Sequence, residues 1–179
     1  MRFASMRDLD ISNGEGVGVS LFVQGCDRHC FNCFNPDTWD FNGGKEWTEE
    51  TKNKFIKLID RPYINRISVL GGEPLAEQNL DEVLSLIKEI RTSFPEKTIW
   101  LYTGYKFEDL INGIHYPLDS EWEDKVLRQS IVKLCDVLVD GEYIDEQRDI
   151  TLKWRGSSNQ RVIDAKQSLA QNKIVLYCD

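Results

Sequence analysis

Three cysteines that follow an apolar run constrain this chain more than any other feature of its sequence. Cys26, Cys30 and Cys33 have the spacing C-x3-C-x2-C. The run before them, residues 17–23 (VGVSLFV), is typical of a buried strand. A loop that leaves a strand can fold its thiols around one centre. The pattern therefore predicts a metal centre with three thiolate ligands and one position left for another ligand.

Two kinds of centre fit three thiols. A [4Fe–4S] cluster has four iron corners, so three cysteines leave one corner open to a substrate or cofactor. A structural zinc site takes four ligands, and here His29, Cys135 or Cys178 would have to be the fourth. A disulfide framework fits poorly, because the five cysteines are an odd number and nothing in the sequence indicates secretion. The short spacing after a strand favours the cluster, and zinc stays open as the alternative.

The two remaining cysteines carry smaller expectations. Cys135 stands just before a predicted strand and is expected to be a buried core thiol, while Cys178 is expected to be incidental. Two thiols are too few to hold a second cluster through four thiolates, so no auxiliary cluster is predicted.

Composition and charge narrow the class of protein. With 179 residues, 41% of them hydrophobic, the chain is expected to form one globular domain over residues 1–179. Its net charge of −8 argues against a nucleic-acid surface and against binding to an anionic membrane. No stretch has the length of a signal peptide or a transmembrane helix, so we expect a cytoplasmic protein.

Beyond the cysteine loop, apolar segments of strand and helix type alternate along the chain. Thr48 is predicted to cap a helix whose apolar face is formed by Phe55, Leu58 and Ile59. The other expected helices cover residues 79–93, 106–112, 120–133 and 164–171. Strands are expected at residues 1–6, 17–23, 66–70, 98–103, 136–140, 161–163 and 173–177.

This alternation predicts an α/β fold built from parallel βαβ units. A complete eight-fold barrel needs about 200–250 residues or more, so we expect an open partial (βα) barrel with a mostly parallel sheet. In such folds the active site lies at the carboxyl ends of the strands. The cysteine loop and residues 71–74 (GGEP) both follow strands and should meet at that edge.

The segment GGEP is open to two interpretations. It could be only a tight turn, because glycine tolerates positive φ and proline favours the start of a turn. Alternatively, Gly71 and Gly72 let the backbone approach a ligand closely, and the carboxylate of Glu73 can accept hydrogen bonds from an ammonium group.

The cysteine spacing and the Gly-Gly-Glu segment together resemble the radical S-adenosylmethionine (SAM) superfamily. Three longer stretches narrow the resemblance to the glycyl-radical-enzyme activases, within these to the group that activates anaerobic (class III) ribonucleotide reductase. They are residues 20–26 (SLFVQGC), 137–141 (VLVDG) and 156–164 (GSSNQRVID). The resemblance covers about residues 3–178.

The resemblance implies the roles of the site residues. Cys26, Cys30 and Cys33 would bind a [4Fe–4S] cluster. SAM would be held by Asn32, Cys33 and Phe34 from the loop, and by Gly71, Gly72 and Glu73 at its methionine end. Asn32 stands where many radical SAM loops have an aromatic residue, which leaves the adenine contact unassigned.

The resemblance also implies the reaction and the partners. A one-electron donor such as flavodoxin would reduce the cluster, and SAM would be cleaved to methionine and a 5′-deoxyadenosyl radical. That radical would take a hydrogen atom from a glycine of the large subunit of the anaerobic ribonucleoside-triphosphate reductase. No general acid or base is needed. Activation of another glycyl-radical enzyme, another radical SAM reaction, and a non-enzymatic zinc domain are the alternatives.

Overall fold

The computed structural model describes residues 1–112 and 122–178, which form an α/β fold around one open sheet. Its eight strands stand in the order β3-β1-β2-β4-β5-β6-β7-β8, and the sheet does not close into a barrel. The strands are β1 (Arg2–Asp10), β2 (Gly18–Val23), β3 (Lys45–Glu46), β4 (Arg66–Gly71), β5 (Thr98–Tyr102), β6 (Val137–Asp140), β7 (Arg161–Asp164) and β8 (Leu176–Cys178).

The prediction of a mostly parallel sheet was wrong, because the sheet is mixed. The four central strands β2, β4, β5 and β6 are parallel, but the outer pairs β3–β1, β1–β2, β6–β7 and β7–β8 are antiparallel. A parallel pair needs a crossover of about a dozen residues or more, usually with a helix. Between β1 and β2 there is only a turn, between β6 and β7 an irregular segment, and between β7 and β8 one short helix.

Five α-helices lie between the strands in the described part of the chain. Thr48 caps the first one as predicted, since its side chain accepts a hydrogen bond from the Thr51 backbone N–H at 3.2 Å. The predicted helix 120–133 begins outside the described residues, and its described part runs one residue further than predicted. The helices are α1 (Glu49–Ile59), α2 (Leu80–Ser93), α3 (Phe107–Asn112), α4 (Trp122–Leu134) and α5 (Ala165–Gln171). None of the helices within the described ranges is long and apolar enough to cross a membrane.

The alternating side chains of the central strands give the sheet two different faces. One face packs against the helices and forms the main apolar core. Cys135 is fully buried in this core and its Sγ lies 3.3 Å from the Ile131 carbonyl oxygen, so the prediction of a core thiol is confirmed. Members of this core on the sheet include Val19, Leu21, Val23, Ile67, Val69, Ile99, Leu101, Leu138 and Ile163.

The opposite face carries a buried polar cluster at one end. Arg66 is fully buried there, and its Nη2 donates to the Asp10 backbone carbonyl at 2.6 Å. The Asp10 carboxylate accepts hydrogen bonds from the Ser20 hydroxyl (2.6 Å) and from the Ser12 backbone N–H (2.7 Å). Because a buried charge is costly unless it is paired and hydrogen-bonded, these contacts allow two ionised groups to remain inside the fold.

This cluster predicts a specific pH dependence of stability. Burial alone would raise the pKa of Asp10, but the hydrogen bonds from Ser20, Asn13 and Ser12 outweigh it and lower the pKa to about 2. A lowered folded-state pKa stabilises the fold above the unfolded value of 3.8, and this contribution is lost as the pH falls towards 2. We expect the unfolding free energy measured with urea to fall by about 2 kcal/mol between pH 4 and pH 2 because of this group.

Two variants isolate the contribution. Asp10→Asn should lack this part of the acid dependence, while the exposed neighbour change Asp8→Asn should keep it. Parallel curves for wild type and Asp10→Asn over that pH range would contradict the assignment.

Candidate metal and cofactor site

A cavity of about 540 Å³ opens at the carboxyl ends of the four parallel strands. Each of these strands contributes residues that follow it within three positions, as expected from the sequence for the cysteine loop and Gly-Gly-Glu. These cavity-lining residues are Cys26 after β2, Gly72 and Glu73 after β4, Thr103 and Gly104 after β5, and Gly141 and Glu142 after β6. Cys30, Cys33, Phe34 and Gly71 also line the cavity.

The cysteine loop has little regular structure, but hydrogen bonds to its neighbours hold its start. The backbone N–H groups of Gly25 and Cys26 donate to the carbonyl oxygens of Thr38 and Trp39 at 2.8 and 3.1 Å. Gly25 has φ of +94°, and an added Cβ would lie 2.1 Å from the Phe41 ring. Glycine is therefore required at the point where the chain turns from β2 into the loop.

Two loop residues other than glycine adopt left-handed backbone conformations, His29 with φ of 48° and Asn32 with φ of 53°. His29 stacks on Trp39 with ring centroids 4.7 Å apart. The Asn32 side chain is exposed and donates to the Asp145 carboxylate at 2.9 Å. The loop thus turns sharply at two places between its cysteines, and non-glycine residues at such φ values concentrate at functional sites.

The three thiols are half-buried and lie on the cavity wall. Burial raises the pKa of Cys26 to about 11 and also raises that of Cys30. A metal that binds these sulfurs must therefore displace protons from them. Among residues 1–112 and 122–178, no three His, Cys, Asp or Glu side chains converge on a single-ion site.

Glu73 and Gly72 are attached directly to the start of the cysteine loop. The Glu73 backbone N–H donates to the Gly25 carbonyl at 2.7 Å, and the Gly72 N–H donates to the Val23 carbonyl at 3.0 Å. The buried Asn79 amide bridges the same two segments, with its Nδ2 donating to the carbonyls of Gln24 (3.1 Å) and Glu73 (3.0 Å). The two sequence motifs therefore form one unit rather than two independent loops.

The Glu73 carboxylate is buried and accepts three hydrogen bonds from protein groups. Its Oε1 accepts from the Leu75 N–H at 2.9 Å and from the Thr103 hydroxyl at 2.8 Å, and its Oε2 accepts from the Gly104 N–H at 2.8 Å. Burial raises the pKa of Glu73, while these donors and Arg28 act in the opposite direction. Glu73 thus ties the ends of β4 and β5 together beside the cavity.

The contact between Gly72 and Gly25 predicts a steric effect of substitution. A Cβ at Gly72 would lie 2.3 Å from the Gly25 carbonyl oxygen, so Gly72→Ala must push the two loops apart. We expect a loss of about 2–3 kcal/mol in unfolding free energy together with reduced iron retention. Gly16→Ala is the control, because Gly16 has φ of +75° but no atom within 4 Å of an added Cβ. It should cost about 1 kcal/mol and leave iron retention unchanged. Equal iron loss in both variants would contradict this reading.

The segment 141–160 covers the cavity opposite the sheet. Phe34 packs against Tyr143, with centroids 5.0 Å apart, and a Cβ at Gly156 would lie 2.7 Å from the Phe34 ring. Gln160 holds the segment together, since its Oε1 accepts from the Gly156 N–H and its Nε2 donates to the Gly141 carbonyl, both at 2.9 Å. Asn159 similarly donates to the Glu142 carbonyl at 2.8 Å.

The described contacts of Asn159, Gln160 and Arg161 are those of local structure. Arg161 forms a bidentate pair with Glu108, at 3.0 and 2.8 Å, and donates from Nε to Asp140 at 2.9 Å. The hydrogen bond from Arg161 lowers the pKa of Glu108 to about 2. Within residues 156–164, Gly156 and Gln160 line the cavity.

Several cavity residues were not identified from the sequence. Arg28, Thr103, Tyr102 and Arg155 all line the cavity. Arg28 could have been suspected from its place between two cysteines, but the others lie on segments with no motif of their own. Buried atoms without a hydrogen-bond partner in the described part of the chain include the Nε atoms of Arg28 and Arg155 and the Tyr102 hydroxyl.

The donor set of this cavity fits an iron–sulfur cluster with a polar organic ligand beside it. Three thiols supply soft ligands for iron, and no fourth cysteine lines the described cavity. The unpartnered nitrogen and hydroxyl groups are suited to a polar ligand, because buried polar atoms are normally hydrogen-bonded.

Comparisons with known proteins agree with this reading of the site. A family model described as a 4Fe-4S single cluster domain matches residues 12–163. The chain is 38% identical to the anaerobic ribonucleoside-triphosphate reductase-activating protein of Salmonella typhimurium, over 90% of this chain and 97% of the relative. It is 37% identical to the protein of the same name from Escherichia coli, over 90% of this chain and 97% of that relative. It is 35% identical to the one from enterobacteria phage T4, over 90% of this chain and 93% of that relative.

Proposed function

Because this chain belongs to the family of anaerobic ribonucleoside-triphosphate reductase-activating proteins, we propose that it generates a glycyl radical on the large subunit of such a reductase. It is an iron–sulfur activating enzyme. The observation that carries the proposal is that Cys26, Cys30 and Cys33 line the same cavity as the Gly71–Glu73 segment. We further propose that residues 1–179 form one domain of the radical SAM type, with the open sheet as its partial barrel.

The residues of the chain have distinct proposed roles. Cys26, Cys30 and Cys33 hold three corners of a [4Fe–4S] cluster, and the fourth corner accepts SAM. Support for the position of SAM comes from the cavity wall, to which Cys33, Phe34, Gly71, Gly72 and Glu73 contribute. Asn32 is proposed to contribute through its backbone, since its amide side chain holds Asp145.

When bound, the reduced cluster and SAM supply the one-electron cleavage that leads to the radical. The chain binds and orients these groups and covers them with the segment 141–160, which limits access of water. The electron comes from an external one-electron donor such as flavodoxin. We propose the cytoplasm as the compartment, because thiols are kept reduced there.

The proposal is tested in two steps with protein reconstituted anaerobically with iron and sulfide. First, the electron paramagnetic resonance spectrum of the reduced protein is recorded with and without SAM, and a [4Fe–4S] signal that changes on addition of SAM is expected. Second, incubation with SAM and the anaerobic reductase should give a glycine-centred radical on the reductase. A SAM-sensitive cluster without that radical would indicate that the protein activates a different enzyme. A colourless protein that holds zinc would refute the proposed enzymatic function.

A further inference from the structure

Arg28 lies between the first two cysteines of the loop, and its side chain reaches over the cavity. Its Nη1 donates to the Glu142 carboxylate at 2.9 Å, and its guanidinium lies 3.9 Å from the centre of the Tyr105 ring. The side chain is only 24% exposed. Arg128 packs against the same ring, with its guanidinium carbon 5.0 Å from the ring centre. Arg28 is therefore held in a defined orientation by an ion pair and a stacking contact.

The guanidinium nevertheless keeps one buried donor unused. Its Nε is buried and has no hydrogen-bond partner among the residues that the structure describes. The Asp27 carboxylate lies 3.9 Å from this nitrogen, which is an ion-pair distance but too long for a hydrogen bond. A buried donor without a partner is costly, so such an atom at a cavity wall is suited to a ligand acceptor.

Arg28 and Glu73 both contact Gly104. Gly104, whose N–H donates to Glu73 Oε2 at 2.8 Å, is so close to Arg28 that an added Cβ would lie 3.1 Å from the Arg28 Cγ. The two side chains also interact electrostatically, since Arg28 acts to lower the pKa of Glu73. A positive and a negative group thus lie on either side of Gly104 at the cavity.

An amino acid presents the complementary pair of charges, because its ammonium and carboxylate groups are attached to the same carbon. An ammonium near Glu73 would bring its carboxylate close to Arg28, where a guanidinium is well suited to bind it. A carboxylate near Glu73 without a cation would be repelled.

Two other arginines line the cavity, but their surroundings differ. Arg7 forms an ion pair with Asp10 at 3.8 Å, and its guanidinium lies 4.7 Å from the centre of the Phe22 ring. Arg155 belongs to the covering segment, and its Nε is also buried without a described partner. Of the three, Arg28 is the one placed against Gly104, whose N–H donates to Glu73.

We propose that Arg28 is a SAM-binding residue whose Nε edge receives the carboxylate of the methionine end while Glu73 lies at the ammonium side. This inference rests on the proposed function, in which SAM occupies the cavity. Arg28 would then be the residue that makes the protein bind SAM more tightly than analogues that lack the carboxylate. The role is one of binding and orientation and involves no proton transfer.

The test compares Kd values for SAM and for decarboxylated SAM, in which hydrogen replaces the carboxylate. Both are titrated to saturation by equilibrium dialysis against the cluster-loaded wild type, Arg28→Gln, Arg28→Lys and Arg155→Gln. Arg28→Gln should raise the Kd for SAM about 10- to 100-fold and leave the Kd for the analogue within about two-fold of wild type. Arg28→Lys keeps the charge but loses the planar fork, so a smaller rise is expected. Arg155→Gln should affect both ligands equally.

The outcomes separate the inference from the proposed function. A wild-type protein that holds its cluster but does not bind SAM refutes the proposed function, and this inference falls with it. A wild type that binds SAM, with Arg28→Gln weakening both ligands equally, overturns the role of Arg28 alone. A carboxylate-dependent loss in Arg155→Gln would also overturn it. Iron content is measured for every variant, and if Arg28→Gln loads no cluster, Arg28→Lys decides by the same comparison.

Discussion

Replacing Cys26, Cys30 or Cys33 with alanine should reduce iron retention to background and abolish glycyl-radical formation. Each thiol lies half-buried on the cavity wall, and the described cavity offers no other cysteine to replace it. Removal of one ligand leaves two, which is too few to hold the cluster against loss of iron. The measurement is iron and sulfide content after anaerobic reconstitution, followed by electron paramagnetic resonance of the reduced protein.

The remaining cysteines provide the matched controls. Cys178→Ala and Cys135→Ala should keep full iron content and activity, because one residue lies on the edge strand β8 and the other in the core. Cys135→Ala should cost about 1 kcal/mol for a small cavity. Loss of metal in either control would indicate a fourth protein ligand and return the zinc site to consideration. Circular dichroism should show that the Cys26, Cys30 and Cys33 variants are folded, because none of these residues belongs to the apolar core. The two control variants should be folded as well.

Replacing Glu73 with alanine should be the most damaging change in the second motif. Three donors, from Leu75, Thr103 and Gly104, would lose their shared acceptor in a buried site. Each unsatisfied buried donor costs about 1–3 kcal/mol, so we expect at least about 3 kcal/mol of destabilisation in urea unfolding. SAM binding should be lost as well, because the ends of β4 and β5 would no longer be held together beside the cavity.

Two variants control this result. Glu73→Gln keeps an oxygen for Leu75 and Thr103 but turns an NH2 group towards the Gly104 N–H, so about half of the loss is expected. The exposed Glu77 lies on the same connection, and Glu77→Ala should change stability by no more than about 0.5 kcal/mol. A Glu73→Ala protein as stable as Glu77→Ala would show that the hydrogen bonds contribute little.

The sequence was most informative where local chemistry is restrictive. A run such as residues 17–23 can be buried only as a strand or a short helix, and the cysteines and glycines after the strands indicated the edge at which they meet. The buried position of Cys135 followed from its place before an apolar strand. These features depend on neighbours in sequence, so local patterns were sufficient to predict them.

Strand direction and the contacts of the site depend on residues far apart in sequence. Nothing in residues 161–163 distinguishes a parallel from an antiparallel partner, and the difference arises because the segment before them lacks a crossover helix. The hydrogen bonds of Asn79 to Gln24 and of Arg28 to Glu142 join residues separated by 55 and 114 positions. Their partners are set by the folded sheet, and no periodicity reveals them.

The two edges of the described sheet are also its shortest strands, β3 with two residues and β8 with three. β3 pairs only with Arg2 and Phe3 of β1, so the rest of β1 forms most of this edge. That part of β1 includes the exposed charged residues Arg7 and Asp8, and β3 itself consists of the charged residues Lys45 and Glu46. Exposed sheet edges are templates for aggregation between chains, and short or charged edges suppress it. The charged side chains along this edge therefore oppose strand-to-strand association between copies of the chain.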